Sequence, residues 1–105
     1  MNTRDFIYRL PSRVPADAIR GQETTFHFDF EGEGGGQYTV EVKNDQVIVH
    51  DGLHGTPSCT IRATNENFLK LLRGDLNPMM AILTGKIKIS NQAELLRYAK
   101  MFGLM

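Results

Sequence analysis

The strongest constraint on this chain is a change of hydrophobic period near its middle. Between residues 26 and 49, apolar side chains recur at every second position in three runs: Phe26, Phe28 and Phe30; Tyr38, Val40 and Val42; Val47 and Val49. A period of two lines up one face of a strand, so each run reads as a strand with one buried side. The glycine-rich stretch Glu31–Gly36 and the pair Asn44-Asp45 separate the runs and read as turns. After a loop from Asp51 to Pro57, residues 58–63 read as a fourth strand, and this succession of strands and turns predicts an antiparallel meander.

Beyond Ala63 the spacing becomes helical. Thr64 or Asn65 can cap a helix holding Phe68, Leu69, Leu71 and Leu72, with Gly74 as its stop. Asn77 followed by Pro78 is a helix start, and that helix runs through Met79, Met80, Ile82 and Leu83 to Gly85. Residues 86–90 alternate again as a short strand with Lys86 and Lys88 on one side. Asn91 and Glu94 have capping-box spacing ahead of a last helix with Leu95, Leu96, Ala99 and Phe102. At the other end, Phe6, Ile7, Leu10 and Val14 fall near helical spacing; Pro11 is expected to end or bend that helix, and Pro15 to open a short turn reaching Ile19. The expected architecture is α+β, one domain over residues 1–105, with helices packed on one face of a mainly antiparallel sheet.

Composition bounds the function. A chain of 105 residues, 41% hydrophobic and 23% charged, has the size and mixture of a single globular core. Its one cysteine, Cys59, cannot form an intrachain disulfide or a CxxC zinc site. The longest apolar run, Met79 to Leu83, is too short to span a bilayer, and Arg4, Asp5, Arg9 and Pro11 interrupt any signal-peptide core. The expectation is a soluble, cytoplasmic protein. Twelve basic residues balance twelve acids, which argues against a nucleic-acid partner. The charge is uneven, however: residues 1–20 carry +2, residues 21–59 carry −6 and residues 60–105 carry +4. The basic end is expected to make transient contact with an anionic membrane surface or partner.

No constellation reads as catalytic. The run Gly32–Gly36 lacks the Lys and Ser/Thr of a phosphate loop and joins two strands. His50 and His54 are four apart, but across a strand end and a loop, where that spacing does not bring two imidazoles together, and they read with His27 as surface or loop residues. Cys59 reads as a small buried residue, and no Gly-x-Ser-x-Gly elbow occurs. The expectation is therefore no enzyme activity, no catalytic residue, no metal and no cofactor. Met79, Met80, Met101 and Met105 cluster instead in the C-terminal third, where methionine suits an adaptable apolar cavity.

The segments Ser58-Cys59-Thr60-Ile61, Asn67–Gly74 and Asn77-Pro78-Met79-Met80-Ala81-Ile82-Leu83-Thr84-Gly85-Lys86-Ile87-Lys88-Ile89 together resemble the sterol carrier protein type 2 (SCP-2) domain family. The Asn-Pro pair, a short apolar helix and then Gly-Lys-Ile-Lys-Ile are the strongest marker, and the upstream strands match more loosely. The resemblance implies a five-stranded sheet with helices over one face and a hydrophobic tunnel between them. It also implies non-covalent binding or transfer of a fatty acid, acyl-CoA, sterol-like lipid or phospholipid, with no catalytic residues. The chain ends Phe102-Gly103-Leu104-Met105 where some members carry a Ser-Lys-Leu peroxisomal address, and members often continue past the last helix, which implies a more open tunnel here. On this reading the lipid-binding walls come from Phe26, Phe28, Phe30, Val49 and Ile61 on the sheet. The helices add Phe68, Leu72, Met79, Met80, Ile82, Leu83, Leu96, Ala99 and Phe102, with Met101 and Met105 as part of a mobile lid. The competing reading is a partner-binding or scaffold module with a vestigial tunnel.

Overall fold

The computed structural model describes residues 2–104. Helix α1 spans Thr3–Arg13 and is followed by a single 3-10 turn, Ala16–Ile19. Strands β1 (Thr24–Glu31), β2 (Gly36–Lys43) and β3 (Gln46–Asp51) come next, then β4 (Cys59–Thr64), α2 (Asn65–Leu72), α3 (Pro78–Leu83), β5 (Ile87–Ile89) and α4 (Gln92–Ala99). The five strands form one α+β sheet in the order β3-β2-β1-β4-β5. The pairs β1–β2, β2–β3 and β4–β5 are antiparallel, while β1 and β4 run parallel.

The meander thus stops at β3, and β4 does not extend it. The reason lies in two polar residues on the outer face of the sheet. Thr39 and His27 face each other across β2 and β1 and are both buried. The Thr39 hydroxyl donates to the Gly52 carbonyl at 2.8 Å and accepts from the His54 amide at 2.9 Å. The His27 Nε2–H donates to the His54 carbonyl at 2.9 Å. The loop after β3 is thereby pinned across the sheet and delivers β4 to the far side of β1. His27 is accordingly buried under this loop and is not a surface residue.

The inner face carries the apolar alternation. Phe26, Phe28 and Phe30 are buried beneath α1, α2 and α4. The Phe68 ring sits 4.5 Å from Phe30 and 5.5 Å from Phe6, joining α2 to both the sheet and α1. Helix α1 runs two residues past Pro11, so the proline does not end it. Proline deprives one carbonyl of its helical donor, but the Val14 amide still bonds to the Leu10 carbonyl at 3.0 Å. At β2–β3 the turn residues Asn44 and Asp45 take φ values of 52° and 62°, the left-handed geometry of a tight hairpin.

The helices around the candidate site are set by their caps. Thr64, Asn77 and Asn91 each accept from the amide three residues on, capping α2, α3 and α4. At the other ends, Asp75 N–H bonds to Lys70 O, Lys86 N–H to Ala81 O, and Leu104 N–H to Ala99 O, each by a bond that spans five residues and passes a glycine of positive φ. This is the Schellman arrangement, in which the residue after the glycine folds back on the last turn. It returns the chain from α3 into β5 and turns Leu104 under α4. No helix among the described residues is long and apolar enough to cross a membrane.

Candidate functional site

Three short helices leave one part of the inner sheet uncovered. Ile61 of β4 with Ile87 and Ile89 of β5 make a floor, α2 supplies Phe68 and Leu71, and α3 supplies Pro78, Met79 and Ile82. Leu95, Leu96 and Ala99 of α4 close the opposite wall, with Leu104 beyond them. The groove between them holds about 430 Å³, within the range of ligand pockets, roughly 300–1,000 Å³. It is open along one side, where Met79 and Leu96 form lips that are 65% and 63% exposed. The enclosed tunnel that the resemblance implied is thus a groove in this structure.

Its chemistry is nearly uniform. Asn77 is the one polar residue in the lining, and its side-chain oxygen is occupied by the Met80 amide at 3.1 Å. Among the described residues no acid, base, thiol or hydroxyl lines the groove. Cys59 is buried on β4, and burial pushes its thiol pKa up, so it stays in the unreactive protonated form. The His50 ring lies 2.8 Å from the Glu41 carboxylate, His54 Nε2–H donates to the Asp51 carbonyl at 2.7 Å, and His27 is held as described. Among the described residues no three His, Cys, Asp or Glu side chains gather as a metal site would need. The arrangement can hold hydrocarbon and exclude water from it.

Of the wall residues read from the sequence, Ile61, Phe68, Met79, Ile82, Leu96 and Ala99 come together in the groove. Phe26, Phe28 and Phe30 lie in the core beside it, and Phe102 stacks there on Tyr98 with centroids 5.8 Å apart. Val49, Leu72 and Met101 are half-buried and packed against that core. Met80 and Leu83 turn outward on α3, 54% and 72% exposed. Met105 falls outside the described residues. Sequence reasoning missed Leu71, Asn77, Pro78, Ile87, Ile89, Leu95 and Leu104. For Ile87 and Ile89 the signal was present, since they alternate with the outward Lys86 and Lys88.

The family model described as the SCP-2 sterol transfer family matches residues 7–101. The chain belongs to that family. Hydroxysteroid dehydrogenase-like protein 2 from Xenopus laevis is 29% identical over 94 residues, which cover 88% of this chain and 22% of that protein. The chain thus spans about a fifth of the length of that curated relative. The solution structure of palmitated SCP2L2 from Aedes aegypti is 25% identical with a TM-score of 0.68, covering 97% of this chain and 92% of that one. The sec-alkylsulfatase Pisa1 from Pseudomonas sp. is 20% identical with a TM-score of 0.72, covering 95% of this chain and 16% of that one, and shares the fold.

Proposed function

We propose that this SCP-2 family domain binds and transfers an apolar lipid without chemistry of its own, holding an acyl chain in the groove between α2, α3, α4 and β5. The observation that carries this reading is the lining: thirteen residues around about 430 Å³, with a single polar side chain that is already spent on a helix cap. Such a site rewards burial of methylenes at roughly 0.8 kcal/mol each and offers no buried partner for a polar group. The polar end of the ligand therefore stays at the open side, and a fatty acid, an acyl-CoA or a phospholipid acyl chain suits the groove. The palmitated Aedes aegypti relative supports the same ligand class. We place this activity in the cytoplasm.

Thermal unfolding in the presence of dodecanoate tests the proposal. A ligand that binds only the folded state raises stability by RT ln(1 + [L]/Kd), so the melting temperature climbs steadily with concentration. A melting temperature indifferent to dodecanoate and to palmitoyl-CoA sinks the carrier reading in favour of a scaffold module.

A further inference from the structure

Strand β5 separates two hollows of opposite chemistry. On the inner face of the sheet Ile87 and Ile89 floor the apolar groove. On the outer face Lys86, just ahead of the strand, and Lys88 line a second hollow of about 280 Å³. Arg62 and Thr64 of β4, Glu31 of β1 and Asn67 of α2 complete its walls, and the turn from α3 into β5 closes one end. The period of two along β5 sends the lysines and the isoleucines to opposite faces. The register then gathers the outer residues: Lys88 stands directly opposite Arg62, and Thr64 directly opposite Glu31.

The charge in this outer hollow does not balance. Asp29 and Glu31 both approach Arg62 at its Nε, at 3.3 Å and 3.8 Å, so the two acids are spent on one guanidinium. Glu66, the acid in the first turn of α2, is engaged by Lys70 at 3.3 Å. Lys86 and Lys88 have no ion-pair partner among the described residues. Lys88 also faces Arg62 across the ladder, where like charges oppose pairing and an external anion relieves them. Lysine on an edge strand guards against sheet-to-sheet association, but that purpose needs neither a third cation beside it nor a hollow. The hollow lies at the start of α2, the end of a helix that favours an anion. Two uncompensated lysines match the charge of a phosphate monoester near neutral pH, about −1.5 to −2.

We propose that Arg62, Lys86 and Lys88 form a binding site for a phosphate monoester, on the face of the sheet opposite the groove. The phosphate bridges the two lysines and separates Lys88 from Arg62, whose planar fork donates to phosphate oxygens. Thr64 and Asn67 offer uncharged donors for the remaining oxygens. A hollow of about 280 Å³ takes the phosphate and part of the group that carries it, such as a ribose. The same chemistry has two sources: a free phosphorylated small molecule, or the head of a coenzyme A thioester whose acyl chain lies in the groove. Only β5, a three-residue edge strand, stands between the two hollows. The site itself is independent of the carrier reading, and only the second source rests on it.

The test is amide NMR of the whole chain, titrated with inorganic phosphate and with adenosine 3′-monophosphate at an ionic strength held constant with chloride. Saturable shifts are expected at Arg62, Thr64, Asn67, Lys86 and Lys88, while Ile82, Leu95 and Leu96 in the groove stay still. Lys86→Gln and Lys88→Gln should each weaken adenosine 3′-monophosphate by about fivefold, and Lys100→Gln, outside the hollow, should not. All three lysines are exposed and outside the groove lining, so every variant should keep the wild-type thermal response to dodecanoate. The absence of a saturable shift, shifts centred on other residues, or unchanged affinity in the double variant Lys86→Gln/Lys88→Gln overturns the proposal. Titration calorimetry with coenzyme A and dodecanoyl-CoA separates the sources. A thioester that binds about tenfold or more tighter than both coenzyme A and dodecanoate, and loses that advantage in the double variant, is the ligand of both hollows. Equal affinity for coenzyme A and dodecanoyl-CoA assigns the site to free phosphorylated molecules. Phosphate binding without any dodecanoate response upholds the site and removes the carrier reading alone.

Discussion

The ring of Tyr98 meets that of Phe26 edge-on, with centroids 5.5 Å apart and planes at 81°. Both side chains are completely buried, yet the Tyr98 hydroxyl has no hydrogen-bond partner among the described residues. The ring therefore contributes packing while its oxygen opposes folding, and burial pushes the phenol pKa up. Tyr98→Phe removes only that oxygen. It should stabilise the protein by about 1 kcal/mol, which raises the melting temperature by roughly 4–8 °C in a domain of this size. Calorimetry that found a lower value would show the hydroxyl to be satisfied.

A second prediction concerns the tie between α1 and the end of β3. The Tyr8 hydroxyl donates to the Asp51 carboxylate at 2.5 Å, and Arg4 donates to it at 3.0 Å. These bonds, Tyr8 first and Arg4 next, hold the Asp51 pKa below its ordinary value of 3.8. A carboxylate depressed in the folded state stabilises the protein above its unfolded pKa and loses that contribution as pH falls through the folded value. The melting temperature of Asp51→Asn should therefore lie below wild type at neutral pH, and the gap should close as pH drops below 3.8. The pair is exposed, so added salt should narrow the gap as well. A gap that does not change with pH would mean that the carboxylate charge is not what joins the two elements.

Local chemistry was legible in the chain. The alternation of Phe26, Phe28 and Phe30 marked the inner face, Asn44-Asp45 marked a hairpin, and Thr64 or Asn65, Asn77 and Asn91 marked three helix starts, which the structure caps with Thr64, Asn77 and Asn91. The partner of β4 was not legible, because it depends on Thr39 and His27 holding a loop across the outer face, a non-local bond pattern that alternation does not encode. Nor could the capping box at Asn91 be completed from spacing alone. The Glu94 carboxylate goes to the Thr24 hydroxyl and to Arg97, joining α4 to β1. The walls of the groove were half legible for a different reason. Leu71 and Leu72 stand three and four residues from Phe68, and either fits a helical face. In α3 every residue but Pro78 and Ala81 is a large hydrophobe, so period cannot choose between Ile82, which lines the groove, and Leu83, which leaves it.

Asn77 joins stability to the site. Its side chain caps α3, and α3 is one wall of the groove. Asn77→Ala should cost about 1 kcal/mol through the lost cap, and dodecanoate should bind the variant more weakly because the wall frays. Asn77→Asp keeps an oxygen for the Met80 amide and should recover both properties. Chemical denaturation and titration calorimetry on the same samples would check this; recovery of stability without recovery of binding would mean that the amide itself touches the ligand.

Leu96 and Leu83 offer the most direct test of the groove, because both are exposed and only one lines it. Leu96 is a lip of the groove, 63% exposed, while Leu83 is 72% exposed on the outer side of α3. Aspartate at either position stays in contact with water, so folding stability should shift by no more than about 0.5 kcal/mol. At position 96, however, the carboxylate stands against hydrocarbon that would otherwise lie on leucine, and a charge without a partner there opposes binding. Leu96→Asp should lower dodecanoate affinity by about tenfold or more, and Leu83→Asp should leave it unchanged. Titration calorimetry separates the two. Equal losses would put the ligand on the outer face of α3, and a Leu96→Asp variant with wild-type affinity would put it outside the groove altogether.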